Sequence, residues 1–561
     1  MRRIAILLIL SFHCGCSSEW YRRNADEEVQ QILRKEDRPF TVVQEPLRLE
    51  EAGAMGERED LKRSPAPQPV RVPVADAAPE PQQPAQVAPQ APRVSSRILD
   101  LRSALRLAFR NNREHQSQKE AVYLSALSLT LARYEFAPRF FGILTGEWDR
   151  DASGSESGSI SPAFGWNLLF VNGARLSLRL AQTFFQFFTG DRREAAETVV
   201  SGTLTQPLLR GFGTEIVREP LTQAERDLTY RIRAFERFRK TFVVAVVTEF
   251  YRVLEARDRV ANAYLNWQSL VTNRDRVEAL ASADRRPSFE VGQARQDELR
   301  AQDDWSEAVE RYETALDQLK ITLGISTDED ITLLQAELDA LSRQPVEPLD
   351  APVEEAIRDA LESRLDLLTA RDQVEDGERR VRVASDGLRA QLDVTAEAAL
   401  QSNGGSDQKP LKLNADRFAY GFGFDLDLPL DRKAERNAYV AAIIDLEERK
   451  RDLTLLQDTI RLTVRDAYRR LEREIVSFGI QRASLQLAEE RVASTSLLLQ
   501  AGRAETRDVL EAQEAANTAR NAVTSSLINY AIARLELLRD IEAMRVTDEG
   551  EIMRLPLRTE T

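Results

Sequence analysis

Asp508 and Glu511 stand three residues apart, directly after the sequence Ala501-Gly502-Arg503 interrupts a long helical pattern. At that spacing both carboxylates fall on one face of a helix. Taken alone, they are acids of a solvated first turn, where negative charge complements the helix dipole. Glu290 and Gln293 recur at the same spacing in the first half of the chain, and only Glu290 is charged. Arg503 is a cation close to the acids. The body offers no nucleophile-base pair and no metal constellation. The histidines are His13 and His115, and the cysteines are Cys14 and Cys16. That pattern excludes zinc hydrolysis, most histidine-dependent catalysis and a disulfide framework. The chain is not read as an enzyme, and no cofactor or metal is expected.

The 561 residues suffice for several ordinary domains, yet the pattern is mostly helical. A charged fraction of 30% and a mean hydropathy of −0.40 exclude a polytopic helical membrane protein. A formal charge of −14 and a pI near 5.1 argue against nucleic acid as a partner. At the N-terminus, Arg2 and Arg3 precede the apolar run Ile4 to Phe12, which is too short to span a bilayer. Residues 1–16 therefore read as an export signal ending in a lipobox-like sequence. Gly15 suits the position before a lipid-modified Cys16, while His13 stands where an aliphatic residue is usual. An ordinary signal peptide with incidental cysteines is the alternative. Residues 17–97 are crowded with proline, alanine and glutamine and read as an extended linker, with a short helix expected at Glu27 to Lys35.

The positioning elements follow from periodicity. Leu101 to Ala137 reads as helix, closed by Pro138. Phe140 to Trp148 is a strand. Phe164 to Phe170 and Arg175 to Phe184 flank Asn172-Gly173, a strong hairpin signal. Thr198 to Leu208 is a further strand. Leu221 to Arg286 has neither glycine nor proline and carries an apolar stripe at helical spacing. Phe289 to Leu323 is a shorter helix ended by Gly324. In the second half, Leu392 to Leu400 and Phe418 to Leu428 alternate between large apolar and small or polar residues. A second very long helix runs from Leu430 to Gln500. At ~1.5 Å per residue, about 70 helical residues span roughly 105 Å.

The pattern repeats. Ala104-Leu105-x-x-Ala108 is matched by Ala356-Ile357-x-x-Ala360, and Glu290-Val291-x-Gln293-Ala294 by Asp508-Val509-x-Glu511-Ala512. The second pair of anchors lies closer together than the first. The difference falls where only the first half carries the Asn172-Gly173 hairpin. The chain is thus a tandem repeat, 98–345 and 346–545, with an insertion at 164–188 and a tail at 546–561. Each copy reads short helix, strand, strand, long helix, short helix.

Leu204-Thr205-Gln206-Pro207-Leu208-Leu209-Arg210-Gly211-Phe212-Gly213, Leu426-Asp427-Leu428-Pro429-Leu430 and Ala501-Gly502-Arg503 leading to Asp508-Val509-Leu510-Glu511-Ala512-Gln513 resemble the TolC family of outer-membrane efflux proteins. The resemblance covers about residues 98 to 542. Asp284 stands where the family has glycine, and Gly292 where an aliphatic residue is common. The implied fold is mainly α with membrane β: a homotrimer whose twelve-stranded barrel continues into a long periplasmic α-helical barrel. Elementary physics agrees, since four strands cannot close alone and an open edge is too costly in lipid.

The resemblance also implies function. The chain would be a passive exit duct of a tripartite efflux or type I secretion system, coupled through a periplasmic adaptor protein to an inner-membrane transporter. It would sit in outer-membrane lipid with a lipid anchor at Cys16. Asp508 and Glu511 would line a gate, six acids in a trimer, repelling one another and attracting cations. Glu290 would be the copy-one counterpart, and Arg503 would pair with it to hold the tip shut. Pro207 and Pro429 would mark strand-to-helix junctions. The aromatic run Phe184, Phe185, Phe187 and Phe188 would form an interfacial belt or a trimer contact. His115 is expected on a helix surface. A non-conducting coiled-coil lipoprotein that tethers the envelope is the alternative, and the alternating strands tell against it, because a tether needs no barrel.

Overall fold

The computed structural model of the protein describes residues 18–35, 97–152, 154–189, 194–284, 287–348, 351–402, 412–501 and 503–554. Cys16 and Gly502 lie outside the described residues, as does most of the 17–97 linker. The chain divides into two compact units, each drawing on both halves of the sequence.

The first unit comprises Ala121–Glu236 and Leu365–Thr459 with the N-terminal segment. Its centre is one antiparallel sheet of β2 (Arg139–Arg150), β3 (Glu156–Leu169), β4 (Arg175–Phe187), β5 (Glu194–Pro207), β7 (Gln391–Ser402) and β8 (Leu413–Asp427). The spatial order is β2-β3-β4-β5-β7-β8. The sheet therefore holds six strands of this chain, which corrects the expected four. The hairpin did not fold away as a separate insertion. Its strands pair with β2 on one side and β5 on the other, because their alternation continues that of their neighbours. The ladder between β3 and β4 skips Ser161 and Pro162, as a residue without an N–H requires.

The expected short helix near the N-terminus is present and longer, α1 (Ser18–Lys35). It buries Val29 and Ile32, and Tyr123 donates a hydrogen bond to Asp26. Burial and the Asp26 carboxylate both raise the Tyr123 pKa above the usual phenol range.

The second unit comprises Val42–Glu120, Arg237–Arg364 and the chain from Ile460 onward. Here β1 (Arg97–Leu99) pairs in parallel with β6 (Ile331–Leu333), and β9 (Met544–Val546) pairs with β10 (Ile552–Arg554). Leu105, Phe242, Phe250, Leu319, Leu323 and Ile528 belong to its core.

The helix expected over Leu101 to Ala137 is two helices, α2 (Leu101–Asn111) and α3 (Arg113–Tyr134). Asn112 leaves helical geometry and its side chain accepts the His115 N–H at 2.9 Å, a cap that starts α3. The second half repeats the break at Arg364, between α8 (Val353–Ser363) and α9 (Leu365–Asp386). Helix lengths match across the halves, 11 and 22 residues in each. The short helices α4 (Thr214–Val217) and α7 (Ala336–Arg343) complete the connections.

Two helices are very long, as expected: α5 (Glu219–Ser282, 64 residues) and α10 (Lys433–Gln500, 68 residues). Each is followed by a shorter one, α6 (Ser288–Leu323) and α11 (Thr506–Asp540). Gly324 ends α6 in the left-handed region (φ 73°), with its N–H on Ile321 O.

Candidate gate and candidate membrane face

The six strands keep one parity. In every ladder up to the bulge at Leu400/Ser402, even-numbered residues face even-numbered residues. One face therefore carries Phe140, Leu144, Phe164, Leu178, Val200, Val394, Phe422 and their like. The other carries Ser159, Asn167, Arg179, Thr203, Glu397 and Asp425. The apolar face is uncovered: Phe422 is 80% exposed and Phe140 78%. A sheet face so large and so apolar needs an apolar medium. Among the described residues no helix is long and apolar enough to cross a membrane, so this face is the candidate membrane surface.

Aromatic residues gather toward its two ends. Phe140 and Trp166 are registered partners at one end. Trp148 stacks on Phe188 at the other, ring centroids 4.5 Å apart, with Phe184 on the same face. Paired girdles of this kind mark the two water interfaces of membrane barrels. Of the aromatic run, Phe184 and Phe188 join the apolar face, while Phe185 has the opposite parity.

At the strand-to-helix junctions, Pro207 is the last residue of β5, registered with Asp393. Pro429 lies just beyond β8, where its carbonyl accepts from Arg432 at 3.2 Å. On α9, Asp376 is 1% exposed. It accepts from Arg379 at 2.7 Å, Tyr230 at 2.7 Å and Arg226 at 2.9 Å. Burial pushes its carboxyl up, yet the hydrogen bonds from Tyr230 and Arg379 and the two guanidinium charges hold it below the usual range.

In the second unit the two halves build their helix starts alike. Glu290 and Asp508 each occupy the third position of their helix, and each N–H donates at 3.1 Å to the residue before that helix, Pro287 and Glu505. The Asp508 carboxylate also accepts the Glu505 N–H at 2.9 Å, a capping contact. Val509 and Ala512 are buried while Asp508 and Glu511 are exposed. The two acids thus share one outward face of α11. Neighbouring Glu511 is Arg491 of α10, 3.5 Å away, both side chains more than half exposed. Arg503 is exposed, and its N–H donates to Leu498 O at 2.9 Å, closing the end of α10. Asp284 has φ 55°. The aspartate where the family has glycine does take the left-handed conformation a glycine would adopt most cheaply.

His115 is not a surface residue. It is 3% exposed and stacks between Phe109, Phe238 and Phe242. Burial, aided by the charges of Lys119 and Arg239, lowers its pKa to about 4. Arg491 and the cluster around Asp376 carried no signal in the sequence, since each depends on which helix lies alongside.

Residues 356–539 match the family described as outer membrane efflux protein. No curated protein matches the chain. Among solved structures, the CmeC outer membrane channel of Campylobacter jejuni is similar at 15% identity and a TM-score of 0.60, over 79% of this chain and 85% of that one. The open-state MtrE outer membrane channel of Neisseria gonorrhoeae is similar at 14% identity and a TM-score of 0.59, over 79% and 88%. The outer membrane protein VceC of Vibrio cholerae follows at 12% and 0.58, over 79% and 95%. Residues 356–539 thus carry the sequence match to outer membrane efflux proteins, and over 79% of the chain the fold is similar to that of solved outer membrane channels.

Proposed function

We propose that this chain is the outer-membrane exit duct of a tripartite efflux or type I secretion system. It is a homotrimer and a passive conduit, coupled through a periplasmic adaptor to an inner-membrane transporter. The observation that carries the reading is the uncovered apolar face running unbroken across six antiparallel strands, with charged and hydroxyl residues on the reverse. A non-conducting tether has no use for such a face. The match of residues 356–539 to outer membrane efflux proteins supports the same reading. Asp508 and Glu511 form the gate, with Glu290 as the copy-one acid and Arg503 beside them. In a trimer, three copies of each would converge, and their repulsion favours bound cations.

Two measurements test the placement. On a sucrose gradient of cell envelopes the chain cosediments with the outer membrane and resists carbonate extraction. Recovery in the soluble periplasmic fraction would sink the reading. Cys16 carries the lipid anchor, so Cys16→Ser abolishes incorporation of labelled palmitate. Undiminished labelling would remove the anchor and leave the duct standing.

A further inference from the structure

We infer that the inserted hairpin widens the pore, so that three copies of this chain close an eighteen-stranded barrel instead of a twelve-stranded one. The inference rests on the trimeric duct proposed above. β3 and β4 occupy the place between β2 and β5. Every position of β2 from Arg139 to Arg150 has a registered partner in β3.

Both seams of the hairpin are shaped for it. Phe141 lies opposite Gly165, Phe164 opposite Gly142 and Trp148 opposite Gly158. On the far seam Leu178 lies opposite Gly202. In each pair a large side chain lies against the glycine, and at Gly158 the Phe188 ring packs closer than Trp148. A Cβ on Gly165 would come within 2.6 Å of the Phe141 ring, and one on Gly202 within 2.8 Å of Leu178 Cδ2. The turn is tied down as well. Asn172 Nδ2 donates to Gln206 Oε1 at 3.1 Å, and a Cβ on Gly173 would meet Gly211 O at 2.7 Å. A hairpin folded into the lumen would leave these glycines bare and force β2 onto β5.

Parity permits the closure. Six alternating strands leave β8 of one copy antiparallel to β2 of the next, as an even count requires. Both edge strands are exposed along nearly their whole length. Bare strand edges do not persist in lipid, so further copies of the chain are the fitting cover. With strands ~4.8 Å apart and tilted ~40°, eighteen strands enclose a backbone radius of about 18 Å, against about 12 Å for twelve. The cross-section roughly doubles. The hairpin adds Arg175, Arg179, Ser177 and Asn167 to the polar lining, so the wider mouth is wet. Its cargo class includes solutes too bulky for a twelve-stranded mouth.

The test reconstitutes the purified full chain in lipid nanodiscs and counts strands by electron cryomicroscopy along the symmetry axis. It is run beside a variant in which a two-residue Asn-Gly turn replaces residues 151–193. Eighteen strands are expected in the full chain and twelve in the variant. In planar bilayers, the largest polyethylene glycol admitted from the barrel side should fall about 1.5-fold in radius. A twelve-stranded conducting trimer of the full chain overturns this inference and leaves the duct intact, and so does a dimer closing twelve strands. Failure to form any pore overturns the duct reading and this inference with it. Should the shortened variant not fold, Ile143→Cys with Ala163→Cys in the intact chain decides the matter. These registered partners should crosslink within one protomer of the assembled trimer. An unlinked trimer would mean that β3 does not lie beside β2.

Discussion

Phe141 and Gly165 face each other across the β2–β3 ladder, and the phenyl ring fills the space that a side chain at Gly165 would need. A Cβ there would also lie 2.3 Å from the Leu178 carbonyl oxygen, a backbone atom that cannot swing aside. Gly165→Val should therefore destabilise the assembled sheet by about 1–3 kcal/mol or more. The readout is the temperature at which the detergent-purified oligomer dissociates. An unchanged melting temperature would mean the hairpin does not pack against β2.

Asp376 holds Arg226 and Arg379 together in a buried site. Asp376→Ala removes the acceptor that Arg226 and Arg379 share and leaves them Glu375 and Glu219, at a cost of roughly 1–3 kcal/mol. Thermal unfolding should show the loss. Asp376→Asn, which keeps an accepting oxygen, should recover part of it. An Asp376→Ala variant as stable as the parent contradicts this account.

His115 makes the second unit sensitive to acid. Its folded pKa of about 4 lies below the ordinary 6.5. Between those values the unfolded chain binds a proton that the folded chain does not, so stability rises with pH across that window and is lost as pH falls. The contribution is complete above pH 6.5 and is lost by about pH 4, amounting to about 3 kcal/mol. Carboxylates that titrate near pH 4 do so equally in a His115→Phe variant. Denaturant unfolding at several pH values should show a slope in the parent that His115→Phe lacks. Parallel pH profiles would show that the imidazole is not held neutral.

The long helices were legible because proline is absent over sixty or more residues in each, with Gly479 the one glycine in those two stretches, and the apolar stripe persists. The strands were legible for a similar local reason: alternation reveals a strand's two faces. Alternation does not reveal its neighbour. That Phe141 pairs with Gly165 depends on register, so alternation gives the strands of the inserted hairpin without placing them in the sheet. His115 failed in the same way. Its burial comes from Phe238 and Phe242, more than a hundred residues away, while the residues beside it on α3 are polar. The acids at the helix starts were legible from the internal repeat, since Glu290 and Asp508 hold equivalent positions. Arg491 beside Glu511 was not, because the pairing crosses a helical hairpin.

For the gate, Asp508→Asn with Glu511→Gln should weaken cation selectivity and relieve block by divalent ions, with oligomer assembly intact. The capping contact to Glu505 survives in part, since an asparagine oxygen also accepts. Its loss costs about 1 kcal/mol at most, too little to unfold helices of this length. Unchanged selectivity and block in a well-formed oligomer would return both residues to a solvated first turn.

The central claim is that this chain conducts. The purified full-length protein, inserted into a planar lipid bilayer without any partner, should produce discrete, cation-selective channel events. A uniform population of membrane-inserted oligomers that never carries current would contradict the account and favour a tether.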